Sequence, residues 1–430
     1  MLRRFYNTFY FAYAGAMPDR FLRRQLVAAA LTTNALRPVP GSWPGIPAMF
    51  AGWLTSELAP HLLAATTADT LVHLTRGRRD GHAGKAATGL AVASIAGLSY
   101  LIRQAEAAKG DVDAALVEAL GEGYLDELTR VHTDVDMATP WRQLAMPFRM
   151  QNPEVEVLKD ITYAGRGSSR GLLDVYRRAG TPVERAPVLL QVHGGGWTIG
   201  NKDQQGIPLM LHMAARGWVC VAINYRLSPR HRFPTHLVDV KRSIAWIRQN
   251  IERYGGDPSY VAITGGSAGG HLTALAALTP NDPEYQPGFE DADTTLQAAV
   301  PHYGVYDFAG ASGERRALQM RDSFLGPRVL QKDPRLHLED FERASPLLRV
   351  NVDAPPFFVL HGAHDTLVPV SQARCFVRRL REVSHSPVAY AELPGTQHAF
   401  DVFPSIRSAH VVRGVDRFLR WNYAQWREAP

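Results

Sequence analysis

A serine set among glycines is the residue of this chain best placed to do covalent chemistry. Ser267 lies within GGSAGG (265–270), after a β-branched apolar run (260–264) and before a helix-like run (272–278). A serine on a sharp turn from strand to helix exposes its hydroxyl, and glycine neighbours allow the turn to close. The pattern predicts a nucleophile beside the N–H groups and positive dipole end of the following helix.

Two more residues at the ends of strand-like runs could complete an acyl-transfer site. Asp365 follows the run FFVLH (357–361), and His398 follows the run VAYAEL (388–393). A carboxylate and a histidine after successive late strands supply the other two members of a serine triad. The chain order Ser267, Asp365, His398 is the order expected of an α/β-hydrolase.

A run of three glycines is the third feature of such a site. The strand-like run VLLQVH (188–193) leads directly into GGGW (194–197). Glycines after a strand free the backbone to point several N–H groups at one place, which the stabilisation of a developing oxyanion requires. The alternative is a generic flexible turn.

These residues need a scaffold that brings strand ends together, and the sequence from residue 151 onward predicts one. Apolar strands alternate with helical stretches, which requires a mostly parallel sheet with helices on both faces. In such a sheet, catalytic groups gather beyond the carboxyl ends of the strands. Two alternating runs within 154–178 come first; the later predicted strands are 188–193, 219–225, 260–264, 298–303, 357–361 and 388–393, with helices near 205–215, 235–253, 268–278, 370–384 and 406–424.

Together these motifs resemble the hormone-sensitive-lipase-like α/β-hydrolases, a family with bacterial esterases and arylacetamide-deacetylase-like enzymes. The resemblance covers about residues 155–425. It implies an α/β-hydrolase fold and a carboxylic-ester hydrolase that needs neither metal nor cofactor. The motifs that carry it are HGGGW (193–197), NYRLSPRHRFP (224–234), YGGDPSYVAITGGSAGGHL (254–272), HGAHDTLVP (361–369) and GTQHAF (395–400).

The resemblance implies a role for each triad residue. Ser267 is then the nucleophile, His398 the general base and acid, and Asp365 the group that orients His398. The chain departs from the family at one position, because many members carry Asp or Glu immediately before the serine and this chain has Gly266. Any role of a carboxylate at that position is therefore absent here.

The resemblance also implies the donors that hold the oxyanion. These are the backbone N–H groups of Gly195 and Gly196, with that of Ala268 as the third. Trp197 follows the glycines directly. Two interpretations of Trp197 stay open: it lines the acyl pocket, or it packs beneath the glycine loop.

Composition argues against several other kinds of protein. Hydrophobic residues make up 46% of the chain and charged residues 20%, which is ordinary for a globular protein. The two cysteines, Cys220 and Cys375, form no disulfide framework and have no metal-binding spacing. The sequence contains no nucleic-acid-binding module and no phosphate-binding loop, so we expect no metal, no cofactor and no nucleic-acid partner.

We expect residues 1–150 to form a helical region and residues 151–430 the catalytic domain. Residues 1–110 carry 12 Lys and Arg against 5 Asp and Glu, so the basic excess of a chain with net charge +6 lies there. Residues 1–17 have the outline of a signal peptide, or alternatively form an aromatic-rich first helix.

Two apolar helical segments, 48–74 and 86–102, follow within this region and flank a loop with three arginines. One interpretation is a membrane-associated hairpin through residues 48–102, with the arginine loop on the cytoplasmic side. The other is a soluble helical cap. The sequence leaves both open, and with them a cytoplasmic or a membrane and cell-envelope location in a bacterium.

The function that we expect is hydrolysis of short- to medium-chain carboxylic esters through an acyl-enzyme. The partner is then a small-molecule or lipid ester. Alternatives are a membrane-associated lipid-ester hydrolase, an amide or formamide hydrolase, and a non-catalytic binding module, which an intact triad disfavours. The oligomeric state and the physiological ester stay open.

Overall fold

The computed structural model describes residues 20–39, 45–75, 81–131, 141–165, 168–180 and 184–428. Both the signal-peptide outline and most of the arginine loop lie outside the described residues. By internal contacts the chain forms two compact units, residues 1–105 and 106–430. The functional division predicted at residue 150 stays a prediction.

The N-terminal part of the chain is helical, as expected, but its helices are divided differently. The predicted segment 48–74 is interrupted at Leu58, because Pro60 starts a new helix more readily than it continues one. The segment 86–102 belongs to a helix of 39 residues. The helices are α1 Arg20–Leu36, α2 Gly45–Glu57, α3 Ala59–Thr75, α4 His82–Leu120, α5 Tyr124–Val131 and α6 Trp141–Ala145.

The polar helix predicted over 111–131 is also divided. Gly121 has φ +90, a left-handed conformation that ends α4 and separates it from α5. Both pieces pack within the second unit. Arg417 bonds Asp113 at 2.5 Å and the Tyr124 hydroxyl at 3.0 Å.

The second unit is built on one sheet of eight strands in the order β1-β2-β4-β3-β5-β6-β7-β8. The first pairings, β1 with β2 and β2 with β4, are antiparallel, and the remaining pairs are parallel. The predicted α/β-hydrolase fold is confirmed. The strands are β1 Val155–Thr162, β2 Leu172–Arg178, β3 Ala186–Val192, β4 Val219–Ile223, β5 Gly256–Gly266, β6 Ala298–His302, β7 Phe357–Gly362 and β8 Val388–Leu393.

Helices cover both faces of this sheet. They are α7 Ile207–Ala215, α8 Thr235–Asn250, α9 Ala268–Leu278, α10 Arg315–Met320, α11 Leu338–Arg343, α12 Pro346–Arg349, α13 Val370–Val383 and α14 Ile406–Glu428, with a π-helix, Arg321–Leu330, after α10. In β3, Val188 and Leu190 belong to one core cluster and Leu189 to another. Successive side chains point to opposite faces of the sheet, so this one strand contributes residues to two core clusters.

The register of the central strands places their carboxyl ends side by side. Val192 of β3 pairs with Gly265 of β5, and Gly266 of β5 pairs with His302 of β6. Gly362 of β7 pairs with Leu393 of β8. The loops that follow these strands therefore meet at one edge of the sheet.

Candidate active site

Ser267 occupies the sharp turn between β5 and α9. Its backbone has φ +57 and ψ −119, a conformation that residues other than glycine rarely adopt. The Ser267 N–H donates to the His302 carbonyl at 2.9 Å, which ties the turn to β6. A Cβ at Gly269 would lie 2.1 Å from the Val192 carbonyl oxygen. Glycine at this position lets α9 start against β3.

Asp365 and His398 form a direct pair at the ends of β7 and β8. The Nδ1 atom of His398 lies 2.6 Å from Asp365 Oδ2, and both side chains are buried. A proton on Nδ1 leaves the Nε2 lone pair available to accept a proton from a nucleophile. The arrangement is that of a histidine base oriented by a carboxylate.

Further donors surround the Asp365 carboxylate. Its Oδ1 accepts from the N–H groups of Leu367 at 2.9 Å and Val368 at 2.8 Å. His361 Nε2 lies 3.3 Å from Oδ2. Burial raises the pKa of Asp365, but the charge of His398 and the hydrogen bonds from His361 and His398 outweigh it and hold the pKa well below its usual value. The carboxylate therefore stays ionised at neutral pH.

Tyr303 lies close both to His398 and to Gly266, the residue before the serine. The Tyr303 ring centroid is 4.6 Å from that of His398. A Cβ at Gly266, next to the serine, would be 2.5 Å from the Tyr303 hydroxyl oxygen. Within the described residues, no hydrogen bond joins the Ser267 hydroxyl to His398. Of the three predicted triad residues, Asp365 and His398 are thus bonded to each other, and Ser267 follows β5, which β6 separates from β7.

The glycine loop lies directly beside the serine. A Cβ at Gly194 would be 3.2 Å from the Ser267 Cβ. The Gly194 N–H is already donated to Gln205 Oε1 at 2.7 Å. Gly195 and Gly196 have φ +111 and +58, and within the described residues their N–H groups donate no hydrogen bond. These two groups can therefore serve an oxyanion, which agrees with the predicted donors.

Ala268 begins α9, immediately after the serine. The first N–H groups of a helix have no acceptor within that helix. The Ala268 N–H is therefore also open to a ligand at the predicted position, beside the positive end of the helix dipole.

His193 stabilises the start of the glycine loop. The sequence assigned it no role of its own. Its ring stacks on Tyr225 at 4.3 Å, and the Tyr225 hydroxyl donates to the His193 carbonyl at 2.9 Å. Burial lowers the pKa of His193 to about 4, so the ring is neutral at physiological pH. Its position at the end of β3, just before the glycines, was the signal available in the sequence.

Trp197 is buried and packs beneath the glycine loop. Its indole makes edge-on contacts with His271 at 5.2 Å and Phe308 at 5.1 Å. Only 2% of the residue is exposed. Of the two interpretations left open by the sequence, the structure favours packing over lining the acyl pocket.

A buried polar cluster stands behind Gly266, where many relatives have an acidic residue. The Tyr303 hydroxyl donates to Asp401, and His302 Nδ1 lies 2.6 Å from the other carboxylate oxygen of Asp401. Burial raises the pKa of Asp401, but the charge of His302 and the hydrogen bonds from His302 and Tyr303 hold it below its usual value. The missing carboxylate at position 266 thus has a counterpart from another part of the chain.

Sequence reasoning missed this cluster. His302 and Tyr303 precede Asp401 by about a hundred residues, and none of the three belongs to a motif. The one available signal was Gly266 itself, because the absence of a side chain there leaves room for another residue. Tyr303, the first residue after β6, has φ +36, a strained backbone that the surrounding packing must hold.

The π-helix lies over the glycine loop. A Cβ at Gly196 would be 3.3 Å from the Phe324 ring, and Phe324 is only partly buried. The segment between β6 and β7 therefore limits the space beyond the oxyanion donors. No motif in the sequence marked Phe324 as the residue that makes this contact.

The described residues contain no group of three or more His, Cys, Asp or Glu side chains suited to hold a metal ion. Cys220 is buried in the core and Cys375 partly exposed, and both are free thiols.

Comparison with known proteins identifies the family. The family model BD-FAE matches residues 173–380. The chain is 44% identical over 411 residues to a Mycobacterium tuberculosis protein named probable carboxylic ester hydrolase LipM, with 93% of this chain and 92% of LipM covered. Esterase LipQ of the same organism is 46% identical, with 73% and 74% covered. The chain belongs to the hormone-sensitive-lipase-like α/β-hydrolases.

Solved structures agree with this family. Est2, a thermophilic esterase from Thermogutta terrifontis, has a TM-score of 0.52 and 25% identity, over 64% of this chain and 93% of Est2. A truncated carbohydrate esterase from gut microbiota has a TM-score of 0.52 at 22% identity, which supports the fold alone. In this chain, HGGGW and GGSAGG lie at the ends of adjacent strands, β3 and β5.

Proposed function

We propose that this carboxylic-ester hydrolase cleaves short- to medium-chain esters with Ser267, His398 and Asp365. The enzyme class follows from family membership. The residue roles are supported above all by the buried 2.6 Å contact between His398 and Asp365, which follow β8 and β7 at the same edge of the sheet as the Ser267 turn.

The proposed mechanism has two acyl-transfer steps. His398 Nε2 takes the proton of the Ser267 hydroxyl as the oxygen attacks the ester carbonyl, and the N–H groups of Gly195, Gly196 and Ala268 hold the oxyanion. His398 then gives this proton to the departing alcohol. In the second step, water loses a proton to the same nitrogen, attacks the acyl-enzyme, and releases the acid and free Ser267.

This mechanism requires one side-chain movement. Because Ser267 and His398 are not hydrogen-bonded, the serine side chain must turn toward Nε2 when substrate binds. Catalytic hydrogen bonds are often long before substrate arrives and tighten in the complex. The ionised Asp365 holds the ring in the tautomer that this contact needs.

Substitution of the serine tests the residue roles. We expect Ser267→Ala to remain folded and to lose at least about 10⁴-fold in kcat on p-nitrophenyl butyrate, since the nucleophile is gone. Ser169→Ala is the matched control, because Ser169 is exposed and remote in sequence from every proposed catalytic residue. Wild-type turnover by a folded Ser267→Ala protein would contradict the assignment of Ser267 as the nucleophile.

The position of Phe324 over the glycine loop supports the proposed range of acyl-chain lengths. Phe324 leaves little room beside Gly196, which disfavours long acyl chains. A series of p-nitrophenyl esters from acetate to palmitate measures the preference. We expect kcat/KM to be highest for short to medium chains, and Phe324→Ala to move the maximum to longer ones. An unchanged profile in that variant contradicts the role given to Phe324.

The alternative of a lipid ester at a membrane also has one observation in its favour. Among the described residues, α4 is long and apolar enough to cross a membrane by length and composition, and 28% of its apolar stretch is buried within the chain. We therefore keep membrane association through residues 48–102 as a proposal. Detergent-free fractionation tests it, and a full-length chain found only in the soluble fraction contradicts it.

A further inference from the structure

The helical unit formed by residues 1–105 has its apolar and polar side chains reversed. Among its described residues, nine large apolar side chains are exposed and four are buried. The second unit has the ordinary arrangement, since far more of its large apolar residues are buried than exposed. The exposed residues of the first unit are Leu26, Val27, Val39, Phe50, Leu54, Leu71, Val72, Val92 and Tyr100.

Polar side chains occupy much of the interior of this unit. Nine of its described polar or charged residues are buried, and of its nine buried apolar residues five are alanines. A bundle that folds in water has the opposite arrangement, because the hydrophobic effect drives large apolar side chains inward. The buried polar residues are Gln25, Thr32, Thr55, Ser56, Glu57, Thr66, Thr70, His73 and Ser94.

Several of these buried polar groups are bonded within the unit. The hydroxyls of Thr55, Thr70 and Ser94 each donate to the carbonyl four residues earlier in the same helix, at 2.7–2.8 Å. Gln25 Nε2 donates to Asp69 Oδ2 at 2.9 Å, which joins α1 to α3. Bonds of both kinds are typical of helices in a membrane, because lipid chains offer no hydrogen-bond partner.

The longest helix, α4, shows the reversal most clearly. Its outward face exposes Val92 and Tyr100, and it has no charged residue between Lys85 and Arg103. A helix at the surface of a soluble protein presents charged side chains on that face. The buried residues of this stretch recur every three or four positions and form one stripe: Ala87, Ala91, Ser94, Leu98 and Leu101.

α1 and α4 run in the same direction, and α3 runs against them. Phe21, near the start of α1, clusters with Ala87 near the start of α4. Ala35, near the end of α1, clusters with Leu98 of α4 and with Ala59, the first residue of α3. α1 and α3 therefore accompany α4 along its uncharged stretch, and the three helices alternate in direction along the chain.

The uncharged length of these helices fits a lipid bilayer. Lys85 and Arg103 are 18 residues apart on α4, which is about 27 Å at 1.5 Å per residue. The hydrocarbon core of a bilayer is about 30 Å thick. On α1, Arg24 and Arg37 are about 20 Å apart, and long arginine side chains reach the headgroups from such positions.

The carboxylates Asp69 and Glu57 are compatible with this environment. Asp69 of α3 pairs with Arg24 at 2.7 Å, near the start of α1. Glu57 is buried and accepts from the Ser56 hydroxyl at 3.2 Å. Charged side chains of membrane proteins are placed in this way, either paired with one another or turned toward the interior of the bundle.

We propose that residues 20–105 form a bundle embedded in a lipid bilayer, which α1, α3 and α4 cross. The apolar side chains exposed on all three helices then face lipid, whereas contact with a second copy would need them on one face only. Basic residues at both ends of the bundle match anionic headgroups. This inference builds on the membrane association proposed above and does not depend on the roles given to Ser267, His398 and Asp365.

The distribution of basic residues sets the orientation. α1 and α4 both begin at one end of the bundle, which carries Arg20, Arg23, Arg24 and Lys85, and the sequence between α3 and α4 adds three arginines. The other end carries Arg37 and Arg103. Because basic residues stay on the cytoplasmic side, the arginine-rich end is cytoplasmic. The chain continues into the second unit from the other end, so the proposed active site is outside the cytoplasm.

Alkaline carbonate extraction of membranes from cells that produce the full-length chain tests the embedding. We expect the wild-type chain to stay in the membrane pellet. Leu71→Glu with Val92→Glu puts charges on outward side chains, which are 57% and 60% exposed, and should raise the extracted fraction at least about tenfold. Leu336→Glu is the control, since Leu336 is exposed on the second unit, and it should stay in the pellet.

Release of the wild-type chain by carbonate, or equal extraction of the two glutamate variants, overturns the embedding. Hydrolysis of p-nitrophenyl butyrate is measured on every fraction. An active wild-type chain in the extract means that the embedding has failed while the proposed ester chemistry stands. An inactive chain that stays in the pellet supports the embedding and counts against the ester chemistry instead.

Thiol labelling in spheroplasts tests the orientation. In a Cys375→Ser background, where Cys220 is buried, Ser169→Cys and His82→Cys each add one exposed thiol, on the second unit and at the arginine-rich end. A membrane-impermeant maleimide should label Ser169→Cys in intact spheroplasts and His82→Cys only after lysis. The reverse pattern overturns the orientation, and equal labelling of the two thiols in intact spheroplasts overturns the crossing.

Discussion

The ring of Tyr303 lies 4.6 Å from the imidazole of His398, while its hydroxyl donates to the buried Asp401 carboxylate. One side chain therefore connects the proposed catalytic base to a second ion pair, between Asp401 and His302. Tyr303 also fills the space next to Gly266, beside the nucleophile. It is the residue outside the triad that we expect to matter most for the position of His398.

Two substitutions at Tyr303 separate the ring from the hydroxyl. Tyr303→Phe keeps the ring against His398 but leaves Asp401 without one donor, so we expect about 1–3 kcal/mol less stability and less than a tenfold fall in kcat/KM. Tyr303→Ala removes the ring too, and we expect about 10²-fold lower kcat through displacement of His398. Urea unfolding and ester kinetics measure both. Wild-type kcat in the alanine variant would show that the ring positions nothing.

Gly266 and Tyr303 should be coupled energetically. A Cβ at position 266 would meet the Tyr303 hydroxyl oxygen at 2.5 Å and ring carbons at 2.8 Å, so Gly266→Ala should cost about 1–3 kcal/mol by overpacking. Tyr303→Leu removes those atoms. In a double-mutant cycle, Gly266→Ala should cost less in the leucine background than in wild type. Additive costs would contradict the contact.

Gly195 should tolerate no side chain. It has φ +111, and a Cβ there would lie 2.2 Å from the Ile199 carbonyl oxygen, so Gly195→Ala must shift the oxyanion N–H groups. We expect kcat to fall about 10²–10³-fold. Gly180→Ala is the control, because Gly180 also has a positive φ, +94, but nothing would lie within 4 Å of a Cβ added there. Similar activity in the two variants would exclude the proposed role of the loop.

Stability should fall on acidification because buried histidines stay neutral in the folded protein. Unfolded His193 takes up a proton near pH 6.5, whereas burial lowers its folded pKa to about 4. The unfolded state therefore binds more protons in this window, and stability is lost as the pH falls through it, by up to about 1.4 kcal/mol per pH unit. His236 and His271, whose pKa values burial lowers to about 3, act in the same direction.

Urea midpoints between pH 7.5 and 4.5 measure this loss. His193→Gln should reduce the pH dependence, because one of the three buried histidines is removed. His82→Gln is the control, since His82 is exposed. A pH dependence in His193→Gln as steep as in wild type would contradict the assignment.

Sequence patterns predicted the strands of the sheet well because each is a short, apolar and β-branched run. The predicted run 388–393 coincides with β8, and 298–303 exceeds β6 by one residue. The candidate site residues were assigned for a related reason, because their motifs lie at strand ends, and their catalytic roles stay predictions. The break in the helix at Gly121 was not predicted, because a glycine inside a helical pattern does not by itself indicate a left-handed conformation.

Contacts between residues distant in the chain were beyond the reach of these patterns. The cluster of His302, Tyr303 and Asp401 depends on the pairing of β6 with its neighbours and on the turn after His398. Such sites have no local sequence period to reveal them.

The filled space beside Gly266 also constrains how this enzyme can evolve. An acidic residue at position 266 would collide with Tyr303 in its present place, so the two positions are not independent. A smaller residue at 303 would remove the collision, but it would also give up the contact with His398. We therefore expect an acidic residue at 266 to be tolerated better after position 303 has changed than before it.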